Sequence, residues 1–154
     1  MIIWLRSTLF FIGYLFIILV ITPLLLIPSL PLPYHHFRRV VRFWCALILG
    51  WLRITTGIRY NIVGAEYLNA LRQQPHVIIA NHQSAFETLL FSKILPPPAF
   101  ILKKELLNIP FVGWGLRKAK QIPIDRNDGR RALQNIITAS KEAFDEGRSV
   151  VIFP

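Results

Sequence analysis

The chain has 154 residues and a mass of 17.8 kDa, enough for one ordinary domain. A hydrophobic content of 53% with only 17% charged residues excludes a disordered or fibrous protein, and the lone Cys45 excludes an intramolecular disulfide framework and fits a reducing compartment. The formal net charge is +10, and residues 1–65 hold six Arg and no acidic residue, so a phospholipid surface is favoured over a nucleic acid as the partner.

The first predicted element is an apolar segment, Ser7–Tyr34, which has no charged side chain. It is too long for the apolar region of a signal peptide, and no small-residue cleavage site follows it. A spanning helix needs about 20 apolar residues, and Pro23 interrupts this segment before that length is reached. We therefore expect a membrane anchor that either crosses the bilayer with a kink near Pro23 or enters it and turns back.

A second apolar piece, Phe43–Leu52, lies between Arg42 and Arg53. As a helix it would rise only about 15 Å, which is too short to span a bilayer. Because Trp44 and Trp51 lie in it and arginines flank it, the pattern indicates a helix lying in the plane of the membrane interface. A buried core helix is the alternative that the sequence leaves open.

A cluster of three arginines follows the first apolar segment. Positively charged residues tend to stay on the cytoplasmic side, so we expect residues 35–154 in the cytoplasm. We accordingly predict two parts: a membrane anchor in residues 1–57, made of the kinked or re-entrant helix and the interfacial helix, and a globular domain in residues 58–154.

The globular part alternates short β-branched runs with longer stretches of helical periodicity. The predicted strands are Arg59–Val63, His76–Ala80, Ala99–Leu102, Gln121–Ile124 and Ser149–Phe153. The predicted helices are Ser84–Leu95, Phe111–Ala119 and Asp128–Glu146, the last of them followed by Gly147 as a natural end. Strands separated by helices of this length predict an α/β fold, with a mostly parallel sheet flanked by helices.

The residues that suggest chemistry follow the predicted strand His76–Ala80. His82 stands in the turn between this strand and a helix that begins near Ser84. From that turn the imidazole can reach back towards Glu87, one turn into the helix. A carboxylate that hydrogen-bonds one ring nitrogen fixes the tautomer and leaves the other nitrogen free as a base. The pair is therefore a candidate for activating a hydroxyl group.

Other interpretations of this segment are plainer. A surface histidine at the start of a helix, beside an unrelated glutamate, would give the same spacing. Ser84 as a nucleophile is a weaker hypothesis, because the chain has no G-x-S-x-G elbow. None of His35, His36 or His76 has metal-ligand spacing with Cys45, so we predict no metal site.

The segment Asn81-His-Gln-Ser-Ala-Phe-Glu87 resembles the motif N-H-x-x-x-x-D of the glycerolipid acyltransferases, most nearly the bacterial 1-acyl-glycerol-3-phosphate (lysophosphatidic acid) acyltransferases. Three further segments resemble that family's motifs in the same order. Lys103-Lys-Glu-Leu-Leu-Asn-Ile-Pro-Phe-Val-Gly113 resembles K-x-E-L…P-x-x-G, and Ile124-Asp-Arg126 resembles I-D-R. Phe153-Pro154 matches the first two letters of F-P-E-G-T-R. The similarity covers roughly residues 60–154 and implies the glycerolipid acyltransferase fold.

The resemblance implies roles for individual residues. His82 would be the general base, and Glu87, one methylene longer than the family's aspartate, would orient and polarise it. The implied substrate-binding residues are Asn81, Lys103, Lys104 and Arg126. Lys103 would approach the phosphate of the acceptor, with Arg126 in the same basic pocket. Without the resemblance, the two lysines could equally begin a solvated helix, and Arg126 could pair with a nearby acid.

The implied reaction moves a fatty acyl chain from acyl-CoA or acyl-carrier protein to the free hydroxyl of 1-acyl-glycerol 3-phosphate, giving phosphatidic acid. It needs no cofactor, since a thioester is already activated. The partners would be lysophosphatidic acid, the acyl donor and the phospholipid bilayer, with no nucleic acid, at the bacterial inner membrane with the catalytic part facing the cytoplasm. The alternatives are another lipid acceptor, or a non-catalytic membrane protein that binds anionic lipid.

The chain ends inside the family's F-P-E-G-T-R motif. The resemblance therefore implies a truncated protein that lacks the motif's Arg, which would contact the substrate phosphate. We expect this piece alone to bind the acceptor poorly and to turn over little, if at all.

Overall fold

The N-terminal apolar segment is helical almost throughout. A computed structural model describes residues 1–125 and 128–153, and it begins with helix α1 (Ile2–Phe16), a π-helical turn (Ile17–Ile21) and helix α2 (Thr22–Ser29) in direct succession. Within the described residues, the stretch Ile2–Ser29 is the one helix long and apolar enough, by length and composition, to cross a membrane.

The π-helical turn explains how the helix continues past Pro23. Proline has no backbone N–H and its ring collides with the carbonyl one turn earlier, so it normally kinks or ends a helix. Here the backbone N–H of Thr22 donates to the Ile17 carbonyl, and the Thr22 hydroxyl donates to the same oxygen at 2.9 Å. The chain does not turn back at Pro23; it turns at residues 30–33 instead.

Helix α3 (Tyr34–Thr56) returns along the first helices as an antiparallel hairpin. The two arms are joined near their open end by Arg6, whose Nε donates to the Thr55 carbonyl at 2.7 Å. Midway, the indole N–H of Trp51 donates to the Phe10 carbonyl at 3.1 Å. Each of these hydrogen bonds runs from a large side chain on one arm to a backbone carbonyl on the other. The two arms are therefore packed together as a unit.

The sequence prediction for this helix was wrong in its length. The apolar piece Phe43–Leu52 is the middle of a 23-residue helix, because the arginines on either side continue the helix instead of ending it. Side chains such as Cys45, Ile48 and Leu49 are buried, and α3 packs against both α1 and helix α5 (Ala85–Ile94). One face of α3 is therefore buried, while Phe43 and Ile54 on the same helix are exposed.

The remaining elements form the predicted α/β unit. After a 3₁₀ turn (Ala65–Asn69), they are α4 (Ala70–Gln73), β1 (Val77–Ile79), α5, β2 (Ala99–Lys103), a second 3₁₀ turn (Lys104–Asn108), α6 (Val112–Lys118), β3 (Ile122–Ile124), α7 (Arg130–Asp145) and β4 (Val150–Ile152). Within the described residues the sheet has four parallel strands in the order β1-β4-β2-β3. The α/β prediction with a mostly parallel sheet is confirmed.

The core of the sheet is built on β4, which lies between β1 and β2. Val150 and Val151 are fully buried, one on each face. On one face Val150 packs with Ala143 of α7, and on the other Val151 packs with Leu95, just after α5. A central parallel strand covered on both faces is expected to be continuously apolar, as this one is.

The predicted strand Arg59–Val63 was wrong. Residues 59–62 form neither strand nor helix; Tyr60 lies against α5, where its hydroxyl accepts from Lys93 Nζ at 3.0 Å. The β-branched run there was a local signal with no neighbouring strand to pair with.

The predicted end of the last helix was right. Gly147 follows the end of α7 in a left-handed conformation (φ 70°), and its N–H donates to the Phe144 carbonyl at 2.8 Å.

Candidate active site

The candidate site lies at the carboxyl edge of the sheet, in the turn between β1 and α5. The backbone N–H of Ala80 donates to the Ile152 carbonyl at 3.1 Å, so pairing with β4 continues one residue past β1. The chain then leaves the sheet, and Asn81 and His82 are exposed. Ligands of open parallel sheets bind at this edge, because the turns that leave the strands gather there.

Helix α5 begins with a capping box, which positions Glu87. Ser84 is the N-cap in an extended conformation, and its hydroxyl oxygen accepts from the Phe86 N–H at 3.1 Å. In return, Glu87 Oε2 accepts from the Ser84 N–H at 3.0 Å and from the Ser84 hydroxyl at 3.2 Å. The pattern S-x-x-E at 84–87 is the sequence signal for this motif; sequence reasoning placed Ser84 near the helix start but missed the box.

The structure brings His82 and Glu87 together. His82 Nδ1 lies 3.7 Å from Glu87 Oε2, with 40% of the His82 side chain and 25% of the Glu87 side chain exposed. This distance is within ion-pair range but longer than a hydrogen bond. The carboxylate therefore faces one ring nitrogen, and the opposite ring nitrogen, Nε2, is left for other contacts.

The charge on Glu87 is favoured by its surroundings. Partial burial raises the pKa of its carboxyl, but the hydrogen bonds from the backbone of Glu87 and Ser84 and from the Ser84 hydroxyl, together with the charge of nearby His82, lower it. The net effect is a pKa below the ordinary glutamate range. Glu87 is thus an anion at neutral pH and can stabilise a positive charge on His82.

An aromatic ring also holds His82, a contact that sequence reasoning did not find. The ring of Phe153, just past β4, stacks on the imidazole with a centroid distance of 4.3 Å and an interplanar angle of 26°. The sequence placed Phe153 at the end of a predicted strand and in a motif, and gave it no contact with His82. No local sequence signal could have revealed the stacking, because it depends on β4 pairing beside β1.

The predicted phosphate-binding residues lie farther along the same edge. Lys103 is the last residue of β2 and Lys104 follows it, and both are exposed. Because β2 pairs with β4 and β4 with β1, Lys103 lies two strands from the turn that carries His82, roughly 10 Å by ordinary strand spacing. Arg126 lies outside the described residues. This edge of the sheet therefore carries the His82–Glu87 pair and, on the other side of β4, the cations Lys103 and Lys104.

A cavity of about 200 Å³ lies on the other side of α5. Its walls come mainly from α2, α3, α5 and α6; most of its surface is apolar, and Arg38 and Arg42 of α3 also line it. Thr88 and Leu89, which directly follow Glu87, are among the lining residues, whereas His82 is not. The cavity thus approaches the candidate site from the side of the N-terminal hairpin.

Comparison with known proteins gives one consistent result. Residues 59–154 match the family model described as Acyltransferase. Over 124 residues the chain is 38% identical to the 1-acyl-sn-glycerol-3-phosphate acyltransferase of Pseudomonas aeruginosa, covering 80% of this chain and 47% of that protein. It is 34% identical over 93 residues to the enzyme of the same name from Helicobacter pylori, covering 60% of this chain and 39% of that protein. The chain thus spans less than half the length of these curated relatives.

A solved structure has a similar fold. The crystal structure of the 1-acyl-sn-glycerophosphate (LPA) acyltransferase, PlsC, from Thermotoga maritima aligns with a TM-score of 0.71 and 22% sequence identity. The alignment covers 99% of this chain and 60% of that one, so it includes the N-terminal hairpin as well as the sheet. At this identity the likeness supports the fold.

Proposed function

The chain belongs to the Acyltransferase family, and from this premise we propose that it takes part in transferring a fatty acyl chain from a thioester donor to the free hydroxyl of lysophosphatidic acid, giving phosphatidic acid. The observation that carries the proposal is the His82–Glu87 pair, with Nδ1 and Oε2 3.7 Å apart at the carboxyl edge of the sheet. The names of the relatives from Pseudomonas aeruginosa and Helicobacter pylori support this acceptor.

In the proposed step, His82 is the general base and Glu87 keeps its Nδ1 side protonated. The acceptor hydroxyl gives its proton to Nε2, and its oxygen forms a bond to the carbonyl carbon of the thioester. The carbon–sulfur bond then breaks, and the thiol leaves with the proton that Nε2 took up. The nearby carboxylate stabilises the imidazolium that exists between these two events.

The surroundings of the pair suit a lipid substrate. Lys103 and Lys104 would bind the acceptor's phosphate, with Asn81 beside the base, and we propose Arg126 for the same basic pocket. The apolar cavity behind α5 would take part of an acyl chain. The stretch Ile2–Ser29 would anchor the protein at the inner membrane with the sheet on the cytoplasmic side. Both acyl-CoA and acyl-carrier protein would fit this proposal as donors, and the chemistry needs no cofactor.

The test is an acyl-transfer assay in mixed micelles of detergent and phospholipid, with the protein expressed from its complete gene. Lysophosphatidic acid is supplied with acyl-CoA or acyl-carrier protein, and labelled phosphatidic acid is measured. His82→Ala should abolish turnover. His76→Ala is the matched control, because His76 precedes the same strand at the opposite edge, where its backbone N–H donates to Ser149 Oγ; it should leave turnover nearly unchanged.

Three outcomes decide between the candidate functions. Transfer to lysophosphatidic acid that is lost in His82→Ala supports the proposal. Transfer only to another acceptor, such as glycerol 3-phosphate, overturns the acceptor and keeps the reaction class. Binding to anionic vesicles without transfer to any acceptor, unchanged in His82→Ala, would indicate a non-catalytic lipid-binding protein.

A further inference from the structure

We propose that Phe153 is a positioning residue for His82, holding the plane of the imidazole so that Nε2 points to the substrate while Nδ1 faces Glu87. The inference rests on the proposed function, in which His82 is the base. Phe153 would touch neither substrate nor donor; it would act through the histidine.

Glu87 alone does not fix the ring of His82. Its Oε2 lies 3.7 Å from His82 Nδ1, beyond hydrogen-bond length, and the same oxygen already accepts two hydrogen bonds from Ser84. The carboxylate is thus held by the helix start, and it attracts the imidazole without setting the ring's angle. With 40% of its side chain exposed, His82 needs another contact to limit its rotamers.

The ring of Phe153 supplies this contact. Its centroid lies 4.3 Å from that of the imidazole, with the planes 26° apart, which is a stacked arrangement. Stacking occupies the face of the imidazole, whereas both nitrogens lie on its edge. The contact therefore limits rotation of the ring without competing for Nδ1 or Nε2.

Phe153 is itself held in place by other aromatic rings. Its ring is nearly parallel to those of Phe91 on α5 and Phe100 on β2, with centroid distances of 6.3 and 5.9 Å and interplanar angles of 9° and 14°. Phe100 is buried. Through Phe153, the imidazole of His82 is therefore linked to α5 and to β2. In this way the packed core restrains the exposed side chain of His82.

The consequence for the reaction is geometric. A base acts efficiently when its nitrogen stays within hydrogen-bond reach of the proton that it takes, and a small misplacement is costly. Removing the stacking ring should therefore lower kcat while leaving the binding of the acceptor, and so KM, nearly unchanged. A loss of folded protein would also lower the apparent kcat at unchanged KM, so the folded fraction of each variant has to be measured as well.

The experiment compares Phe153→Leu with Phe153→Tyr in the protein expressed from its complete gene. We expect kcat to fall about tenfold in Phe153→Leu with KM within about twofold, and to recover in Phe153→Tyr, which restores the aromatic face. Phe86→Leu is the matched control, since Phe86 precedes Glu87 directly but its ring packs edge-on against Tyr60. Thermal unfolding of each variant identifies any that fail to fold.

A second measurement does not depend on activity. The ring protons of His82, assigned by their absence in His82→Ala, should be shifted upfield by the Phe153 ring in the NMR spectrum and should move downfield in Phe153→Leu but not in Phe86→Leu. An active enzyme whose Phe153→Leu variant keeps both kcat and these shifts overturns the inference. Shifts that move as expected in a protein that transfers no acyl chain support the stacking and overturn only the proposed function.

Discussion

The carboxylate of Glu87 accepts a hydrogen bond from the backbone N–H of Ser84 at 3.0 Å, and by the same oxygen it faces His82. One side chain therefore completes the capping box of α5 and provides the negative charge beside the candidate base. The two roles differ in what they require, because a capping box accepts either Glu or Gln, whereas stabilising an imidazolium requires a charge.

Glu87→Gln should separate these two roles. The amide oxygen can still accept from the Ser84 N–H, so we expect the free energy of unfolding to change by no more than about 0.5 kcal/mol. The charge is lost, so kcat should fall by about 10²- to 10³-fold. Glu87→Ala removes both roles and should also cost about 1 kcal/mol of stability. Acyl-transfer rates and thermal unfolding of both variants check this, and wild-type kcat in Glu87→Gln would contradict the proposed role.

A second carboxylate, Glu146, ties together two turns at the opposite edge of the sheet. It pairs with Lys120 Nζ and with Arg148 Nε, the latter at 2.9 Å, and Arg148 also donates to the Lys120 carbonyl at 2.9 Å. The hydrogen bond from Lys120 lowers the pKa of Glu146, burial raises it, and the charge of Arg148 lowers it further. Its pKa is below the ordinary glutamate range.

This shift predicts how stability depends on pH. A carboxyl group whose pKa is lower in the folded state stabilises the protein above its unfolded pKa, and that contribution is lost as the pH falls through the folded value. The thermal midpoint of the wild type should therefore drop more between about pH 7 and about pH 3 than that of Glu146→Gln. Glu142→Gln, one turn earlier on α7, is the control and should follow the wild type. Parallel curves for all three would rule out a contribution from Glu146.

The N-terminal hairpin allows a test of its packing with two glycines. A Cβ added to Gly13 would collide with the Trp51 ring, whereas a Cβ added to Gly50 would meet nothing within 4 Å. Gly13→Ala should therefore force the arms apart and cost about 1–3 kcal/mol. Gly50→Ala should be neutral or stabilise the helix by up to about 1 kcal/mol. Thermal unfolding in detergent measures both, and equal midpoints would show that the arms do not pack as described.

Much of the sheet could be predicted from the sequence, because each strand is short, apolar and bounded by helical periodicity. Four of the five predicted strands lie within one or two residues of β1 to β4. The prediction at 59–63 failed because a β-branched run is a local signal, whereas a strand needs a partner. The proximity of His82 to Glu87 followed from the turn between a strand and a helix, which local spacing determines.

What could not be predicted depends on contacts between distant parts of the chain. The stacking of Phe153 on His82 requires β4 to insert between β1 and β2, and strand order is not written in any local pattern. The length of α3 was missed because charged residues at both ends of its apolar middle looked like boundaries. The hydrogen bond from Arg6 Nε to the Thr55 carbonyl, at the open end of the hairpin, is another contact between residues far apart in the sequence.

The cations at the end of β2 are expected to bind the acceptor's phosphate. Lys103 lies on the same edge as His82, with β4 between their strands, and a charged hydrogen bond to a phosphate contributes about 1.5–3 kcal/mol. Lys103→Ala should therefore raise the KM for lysophosphatidic acid at least about tenfold and change kcat little, since the lysine binds ground state and transition state alike. Lys141→Ala, on the exposed face of α7, removes the same charge elsewhere and should leave KM unchanged. Because salt screens an exposed ion pair, the difference between the two variants should shrink as ionic strength rises. Equal KM values at low salt would show that Lys103 does not bind the phosphate.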